Sequence, residues 1–336
     1  MTGRRVVDVH THYLPATLVD ALEARDELPM ITREGDRRLI HYGAGNIHPM
    51  LPAMGDIERR LADMDEQGID LAVLSVNVPG ADWFPVADGP AVARDINDEL
   101  ADLVARHPDR LAAMACLPMQ APEAAAAELE RTHALGFHGG MVFSNAAGEP
   151  LDAPDKAVVF DVAARLGTPI YVHPTYPLTA ATVDAYALIP TVGFLFDTTT
   201  AALRLVLGGL YERHPDFKLV LAHVASLVPF IVGRIDYEAE RHRDVGGWGA
   251  LSAPPSEHLR LLYTDVVSVW PPAVRITVEF LGAERVMYGS DYPFWDPVRS
   301  TEALAACEFD DAAMYAIEHE TAHAVFGLDA GLMAQG

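Results

Sequence analysis

Five ionisable side chains that could bind a metal or move a proton stand directly after short apolar runs. They are His10 and His12, separated by one residue, and then His173, His223 and Asp291. Alternate residues of a strand point to the same side, so His10 and His12 can face one ion. One buried histidine is usually satisfied by the backbone, but five such groups at the ends of apolar runs would be costly to bury unpaired. Imidazole and carboxylate ligands suit Zn²⁺, Mn²⁺ or Fe²⁺, so the sequence predicts a transition-metal site.

The elements that must position these residues are eight short apolar runs separated by helical patterns. The runs are rich in Val, Ile and Leu, as expected for parallel strands covered on both faces. They are Arg5–Val9, Asp70–Val76, Leu111–Leu117, Gly139–Phe143, Pro169–Val172, Lys218–Ala222, Leu259–Tyr263 and Arg285–Tyr288. This alternation predicts an α/β fold, a (β/α)₈ TIM-type barrel formed as a single domain by residues 1–336. An open doubly wound sheet would instead need a glycine-rich phosphate turn after the first strand.

Two connections are longer than a plain turn requires. One runs from about residue 13 to about residue 55, and the other from about residue 174 to about residue 190. Both follow the carboxyl end of a strand, which is the active-site face of such barrels. We therefore expect inserted loops at this face, with the first insertion serving as a lid.

Composition and charge restrict the class of partner. The chain has 336 residues, of which 50% are hydrophobic, and a formal net charge of −24. An acidic protein is unsuited to nucleic acid or to an anionic membrane surface, and no segment approaches a transmembrane span. The start of the chain shows no apolar stretch typical of a signal sequence, and two cysteines, Cys116 and Cys307, do not form a disulfide framework. These features predict a cytoplasmic protein without nucleic-acid or membrane partners.

The ordered motifs of the chain resemble the amidohydrolase superfamily, in the branch of aminocarboxymuconate-semialdehyde decarboxylase and related aromatic-acid decarboxylases. The matching segments are Asp8 to Pro15, Val172 to Pro174, Leu219 to His223, Val232 to Asp236, Pro254 to Glu257 and Gly289 to Phe294. The resemblance implies that His10, His12, His173 and Asp291 bind the metal. It also implies that His223 is catalytic. Arg234 resembles an arginine that binds substrate carboxylate in the neighbouring subunit's site, which implies a homodimer.

Three departures from the family pattern bear on substrate and metal number. The glycine-rich stretch that often follows the catalytic histidine is absent after His223. His48, in the long first connection, stands where the semialdehyde decarboxylase has a substrate-binding arginine, so His48 is expected to contact a substrate with one acidic group fewer. The lysine that bridges two metals in other members also has no counterpart. The two lysines, Lys156 and Lys218, lie away from the fourth strand, so one metal is expected.

The resemblance implies a metal-dependent, non-oxidative decarboxylase of an aromatic or unsaturated carboxylic acid. One divalent ion, Zn²⁺ or Mn²⁺, would stabilise the charge left as CO₂ departs, with His223 as general acid or base and Asp291 or a relayed water protonating the ring carbon. Attack by hydroxide and direct ring protonation both remain open. Hydrolysis of a lactone or amide, or hydration, on the same site is the alternative. The zinc-protease pattern His319 to His323 is interpreted as part of the C-terminal helix.

Overall fold

Eight parallel strands form the central sheet of a computed structural model that describes residues 5–43, 46–242 and 251–328. Each strand pairs with the next strand of the barrel along the chain. Backbone hydrogen bonds from Val9 N to Tyr288 O (3.1 Å) and from His12 N to Tyr292 O (2.8 Å) join the first strand to the segment that follows the eighth. The barrel is therefore nearly closed, and the predicted (β/α)₈ barrel is confirmed. The barrel strands are Val7–Tyr13, Leu71–Val76, Leu111–Cys116, Gly139–Phe143, Ile170–His173, Leu219–Leu221, Tyr263–Asp265 and Val286–Met287.

Helices connect the strands and cover the outside of the barrel. The helix Ile57–Gln67 begins at Asp56, whose side chain accepts a hydrogen bond from the Arg59 N–H group, and ends at Gly68. Gly68 has a φ of 70°, a left-handed conformation that glycine adopts without a steric penalty. The other long helices are Gly89–Arg106, Pro122–Ala134, Ala157–Leu166, Phe194–Leu207, Val228–Arg241 and Pro271–Leu281, followed by the C-terminal segments Pro297–Ala305, Asp311–Tyr315, Ala316–Glu320 and Thr321–Phe326.

The seventh strand lies further along the chain than predicted. The sequence pattern placed it at Leu259–Tyr263, but the strand is Tyr263–Asp265, and Pro255–Leu259 forms a short helix. A proline at the first helical position favours the start of a helix, because its fixed φ is helical and its missing N–H group would be unpaired there anyway. Leu259 is thus buried as a helix residue. The shift matters because it brings Asp265 to the carboxyl end of a barrel strand.

A bulge in the first strand sets the direction of the two histidines. From Asp8 to Thr11 the strand advances three residues while its partner, Ala72 to Leu74, advances two. The extra residue reverses which side chains face inward. Val9, before the bulge, packs in the buried cluster inside the barrel, and His10 and His12, after it, also point inward. The first strand therefore contributes both a core residue and two site residues to the same side.

The long first connection folds into a small unit of its own. It contains the helix Ala16–Glu23 and an antiparallel sheet of the strands Met30–Glu34, Arg37–Gly43 and Asn46–Pro49. Leu18, Leu22 and Ile40 are fully buried and join the main core, so the insertion is anchored to the barrel. Its function as a lid stays a prediction. Both cysteines are buried and free, and no helix among the described residues has the length and hydropathy to cross a membrane.

Candidate active site

Four side chains converge at the carboxyl end of the barrel: His10, His12, His173 and Asp291. Each offers one ligand atom, and these four atoms all lie within 4.8 Å of one another. Asp291 Oδ1 is 3.1 Å from His12 Nε2 and 3.5 Å from His10 Nε2. All four residues are buried, and among the described residues this is the one group of three or more potential ligands. The structure thus brings together the four residues that the sequence suggested as ligands of a single metal.

Hydrogen bonds on the far side of the rings fix the tautomers of His10 and His173. His173 Nδ1 lies 2.8 Å from the carbonyl oxygen of Pro174, which can only accept, so Nδ1 carries the proton. His10 Nδ1 lies 2.8 Å from Asp265 Oδ2, and it donates to that carboxylate in the same way. When these rings are neutral, as a bound cation requires, Nε2 is therefore left with a free lone pair pointing toward the cluster.

The tautomer of His12 follows from a short relay. His12 Nδ1 is 2.9 Å from the hydroxyl oxygen of Ser75, and that hydroxyl donates to the carbonyl of Thr11 at 3.1 Å. Because the hydroxyl proton is used on Thr11, Ser75 accepts from His12 Nδ1, and Nε2 is again bare. The Nε2 atoms of all three histidines are buried and have no hydrogen-bond partner. Three converging nitrogen lone pairs without a partner are the arrangement that a bound metal ion satisfies.

The electrostatics of the cluster also favour a cation. Burial tends to raise the pKa of both carboxyls, but His10 lowers the pKa of Asp265 to about 2, and His10 with His12 holds that of Asp291 well below its usual value. Burial lowers the pKa of His12 to about 4, so this ring is neutral at pH 7. No lysine or arginine among the described residues pairs with Asp265 or Asp291. The donor set and the buried negative charge therefore fit one divalent transition-metal ion.

His223 stands beside the cluster at the start of an unusual turn. After the strand Leu219–Leu221, four consecutive residues from His223 to Ser226 have positive φ values between 50° and 60°. Left-handed backbone costs a residue with a side chain roughly 1–2 kcal/mol. The turn places His223 Nε2 3.4 Å from Asp291 Oδ2, while its Nδ1 is buried and without a hydrogen-bond partner. The glycine-rich stretch that the resemblance implies is thus replaced here by four residues with side chains in a strained conformation.

The end of the seventh strand holds this turn in place. The His223 N–H group donates to both oxygens of Asp265 at 3.1 Å, and the Ala225 N–H group donates to Thr264 Oγ1 at 2.6 Å. Thr264 and Asp265 are fully buried. These bonds satisfy backbone donors that a left-handed turn would otherwise leave unpaired. One carboxylate, Asp265, therefore orients both a metal-site histidine and the histidine next to it.

A cavity of about 820 Å³ opens above the cluster, with His173, His223 and Asp291 on its floor. Its walls are largely apolar, and they come from the first insertion and from the segments that follow the second, fifth, sixth, seventh and eighth strands. Among its wall residues are Met54, Ile189, Leu227, Phe230, Phe294 and Trp295. No lysine or arginine is among the described residues that line it. The size and lining are typical of a small-molecule site.

The other residues singled out from the sequence fall in different places. His48 lines the cavity from the insertion, with its ring centroid 5.8 Å from that of Tyr42. Trp295 is also in the wall, but Trp270 is not among the lining residues. Arg234 is exposed on the helix Val228–Arg241, does not line the cavity, and forms no ion pair with a described residue of its own chain. Its role in a neighbouring subunit stays a prediction.

The other residues of the sequence that could have bound a metal lie outside this site. Lys156 pairs with Glu149 at 2.9 Å, and Lys218 donates to the carbonyls of Ala324 and Val325, so neither lysine reaches the cluster. His319 Nδ1 and His323 Nδ1 bond to backbone carbonyls, and no third ligand joins them in the part of the chain that the structure describes. The interpretation of His319 to His323 as part of a C-terminal helical segment is confirmed.

Sequence reasoning missed two residues that support the ligands, Asp265 and Ser75. Asp265 was overlooked because the seventh strand was placed too early, although Thr264 and Asp265 interrupt an apolar stretch as the other site residues do. Ser75 lies inside a strand that was correctly placed. Its role depends on the pairing of Ser75 with His12 across strands, which no local pattern displays.

The comparison with protein families decides the classification. A family model described as amidohydrolase matches residues 7–328. The chain belongs to the amidohydrolase family. A curated relative, the gamma-resorcylate decarboxylase of Rhodococcus jostii (strain RHA1), is 31% identical over 298 residues, covering 80% of this chain and 87% of the relative. The family predicted from the motifs is thereby confirmed.

Solved structures of other members superpose on the whole chain. The 5-carboxyvanillate decarboxylase of Sphingomonas paucimobilis gives a TM-score of 0.87 with 27% identity, covering 97% of this chain and 100% of that chain. The dihydroxybenzoic acid decarboxylase of Polaromonas sp. JS666, solved with bound manganese and the inhibitor 2-nitroresorcinol, gives a TM-score of 0.81 with 26% identity, covering 98% and 99%. The fold of this amidohydrolase family member is therefore shared along nearly its whole length with two decarboxylases, one of them solved with bound manganese.

Proposed function

We propose that this chain is a metal-dependent, non-oxidative decarboxylase of an aromatic carboxylic acid. The observation that carries the proposal is the convergence of three bare imidazole nitrogens with Asp291 and His223 on the floor of an apolar cavity. The relative and the two solved structures described above, all decarboxylases of aromatic acids, support the same reaction. They favour it over hydrolysis of a lactone or amide, or hydration, on this site.

The residues of the site can be assigned roles in this reaction. His10, His12, His173 and Asp291 would hold one divalent ion, which when bound supplies positive charge against the developing negative charge of the substrate. Substrate bound in the largely apolar cavity would displace water from the floor, so this charge interaction would be little screened. Decarboxylation breaks the bond between the ring carbon and the carboxyl carbon, CO₂ leaves, and the electron pair stays on the ring carbon. His223 and Asp291, 3.4 Å apart, can share the proton that quenches this charge at the ring carbon.

The identity of the ion is proposed from the donor set. Three nitrogens and one carboxylate oxygen suit Zn²⁺, and the manganese of the Polaromonas enzyme supports Mn²⁺ as a second candidate. Elemental analysis of protein loaded with either metal should give about one ion per chain, since the four donors make one site. A stoichiometry near two would contradict the mononuclear assignment.

The assembly and location are part of the same proposal. We propose a homodimer in which Arg234 contributes to the partner's site, because this arginine is exposed and has no ion pair with a described residue of its own chain. Two free, buried thiols are compatible with a reducing compartment such as the cytoplasm. The substrate would be a small carboxylic acid, in keeping with the size of the cavity and with a cation held at its floor.

The decisive experiment is to incubate metal-loaded protein with a panel of hydroxybenzoates and to follow CO₂ release and ring absorbance together. The proposal expects both signals to change in step for at least one acid, and to vanish in a sample stripped of metal by a chelator. Cleavage of lactones or amides with no CO₂ released from any acid would instead establish the hydrolytic alternative and overturn the proposal.

A further inference from the structure

The cavity is much larger than its reactive floor requires. The groups that act on a carboxylate, His173, His223 and Asp291, occupy one end of a space of about 820 Å³. Pockets of roughly 300–1,000 Å³ enclose most of a drug-sized ligand. A single aromatic ring with its carboxylate at the floor would leave most of this space to water. The remaining volume therefore has room for a further part of the substrate.

The mouth of the cavity exposes large apolar side chains. Leu51, Phe230, Val269 and Trp295 line the cavity, and each is between 40% and 49% exposed. They come from four separate segments of the chain, so their grouping at one opening is a feature of the fold. Apolar surface is unfavourable in water, and grouped exposed apolar side chains commonly mark a binding surface. A ligand that extends from the floor to the mouth would cover these side chains.

Within one subunit, the described walls offer no lysine or arginine to a second anionic group. His48 is the described wall residue away from the floor that could carry positive charge, and Arg234 of a partner subunit would serve the one carboxylate of the substrate. Away from His48, a carboxylate held against these walls would lose its hydration without gaining a charged partner. The net charge of −24 adds a general repulsion of polyanions. The cavity is therefore suited to one carboxylate, placed at the floor, with an uncharged group above it.

We propose that the substrate is a monocarboxylic aromatic acid with an apolar extension, such as an alkyl chain or a second ring, that lies against Leu51, Phe230, Val269 and Trp295. This inference rests on the proposed decarboxylase function and narrows its substrate class. Selectivity for the extension comes from the mouth of the cavity, whereas the reaction takes place at the floor. The two can therefore be varied separately.

The test compares three probes on metal-loaded protein: 2,6-dihydroxybenzoate, its 4-pentyl derivative and its 4-carboxy derivative. Each buried methylene is worth a factor of about four in affinity, so partial burial of the chain should raise kcat/KM by roughly 10- to 100-fold over the parent acid. The 4-carboxy acid should be turned over more slowly than the parent. Equal kcat/KM values for the pentyl and parent acids, or a preference for the dicarboxylate, would overturn the inference.

Variants at the mouth locate the selectivity. Phe230→Ala and Leu51→Ala should each lower the ratio of kcat/KM for the pentyl acid to that for the parent acid, because each removes apolar contact with the chain. Leu51→Ala is included because Phe230 lies on the same helix as Arg234, so the effect of Phe230→Ala alone could come from a displaced Arg234. Phe196→Ala is the matched control, because Phe196 is 55% exposed and does not line the cavity. A ratio that falls equally in Phe196→Ala, or in neither mouth variant, would overturn the assignment of these residues.

Failure of the substrate class is distinguishable from failure of the function. If the parent acid releases CO₂ but the pentyl chain brings no gain, decarboxylation stands and the extended substrate is wrong. If no acid releases CO₂, the proposed function is wrong, and calorimetry of the pentyl and parent acids still tests the cavity. Tighter binding of the pentyl acid would then support an apolar extension, and equal affinities would overturn it.

Discussion

Replacing Asp265 with asparagine should weaken metal binding although Asp265 is not itself among the proposed ligands. Its Oδ2 accepts hydrogen bonds from His10 Nδ1 and from the hydroxyl of Tyr171, and its Oδ1 accepts from the N–H groups of His223 and Val267. Asparagine has the same shape but one amide nitrogen in place of an oxygen. In either orientation of the side chain, the amide nitrogen, which is a hydrogen-bond donor, would lie opposite two groups that are also donors.

The size of the effect follows from the tautomer of His10. If the amide nitrogen lies opposite His10 Nδ1, the ring is more stable with its proton on Nε2, because Nδ1 can then accept a hydrogen bond from the amide. Nε2 points at the other ligands, so its lone pair would no longer be free for the metal. Loss of a partner that orients a ligand typically costs about 10- to 100-fold in metal affinity, or about 1.4–2.7 kcal/mol. We expect the upper end, because the substitution also removes a buried negative charge next to the cation. Turnover should fall as well, since the same carboxylate holds the turn that begins at His223.

The assay is competition between the protein and a chromophoric chelator, which gives Kd for Zn²⁺ and Mn²⁺ in wild type and variant. Asp197→Asn is the matched control. Asp197 is also buried and accepts hydrogen bonds from Ser144, Asn145 and the Leu178 N–H group, but it contacts none of the four ligands. An Asp265→Asn protein that binds metal as tightly as the wild type would refute the tautomer argument.

Four further predictions concern single residues. His223→Ala should lower kcat by about 10²–10⁴-fold and keep its metal, because an acid–base group is lost while the ligand set stays complete; metal loss would make His223 a ligand. His48→Arg should raise kcat/KM for dicarboxylic acids through a two-point guanidinium contact, and a wild type that already prefers them contradicts this. Mixing inactive Arg234→Ala with inactive His223→Ala should restore activity, because one site of a mixed dimer is then intact; no recovery places Arg234 in its own subunit's site. Burial raises the pKa of Asp82 from 3.8 to about 7, so its contribution to stability is lost as pH rises through this window. In urea unfolding, Asp82→Asn should therefore gain stability relative to wild type between about pH 4 and about pH 7, and a constant difference would argue against the shift.

The sequence predicts the barrel and the ligand cluster because both depend on patterns of residues that are close together in the chain. Each of His10, His173 and Asp291 follows an apolar run, and the carboxyl ends of barrel strands meet at one face. The residues that support the ligands could not be predicted in this way. Asp265 and Ser75 act through neighbours that are distant in the chain, so their roles appear only once the strand pairing is known.

Two further features of the structure could not be predicted from the pattern of apolar and polar residues in the sequence. The seventh strand was misplaced because its apolar run begins at Leu259, which is in fact the last residue of a short helix that starts at Pro255. The turn from His223 to Ser226 has positive φ without a glycine, and residues with side chains give no indication of such a conformation. Both are imposed by tertiary contacts, among them the hydrogen bonds from the turn to Thr264 and Asp265.

The bulge in the first strand makes its length as important as its composition. Between Asp8 and Thr11 the strand contains one residue more than its partner needs. Deleting Asp8 would restore regular alternation, and it would turn either Val9 or the pair of histidines to the outside of the barrel. Every side chain needed for metal binding would still be encoded. In the history of such a sequence, replacement of Val9 by another apolar residue is therefore tolerable, whereas loss of the one codon for Asp8 is not.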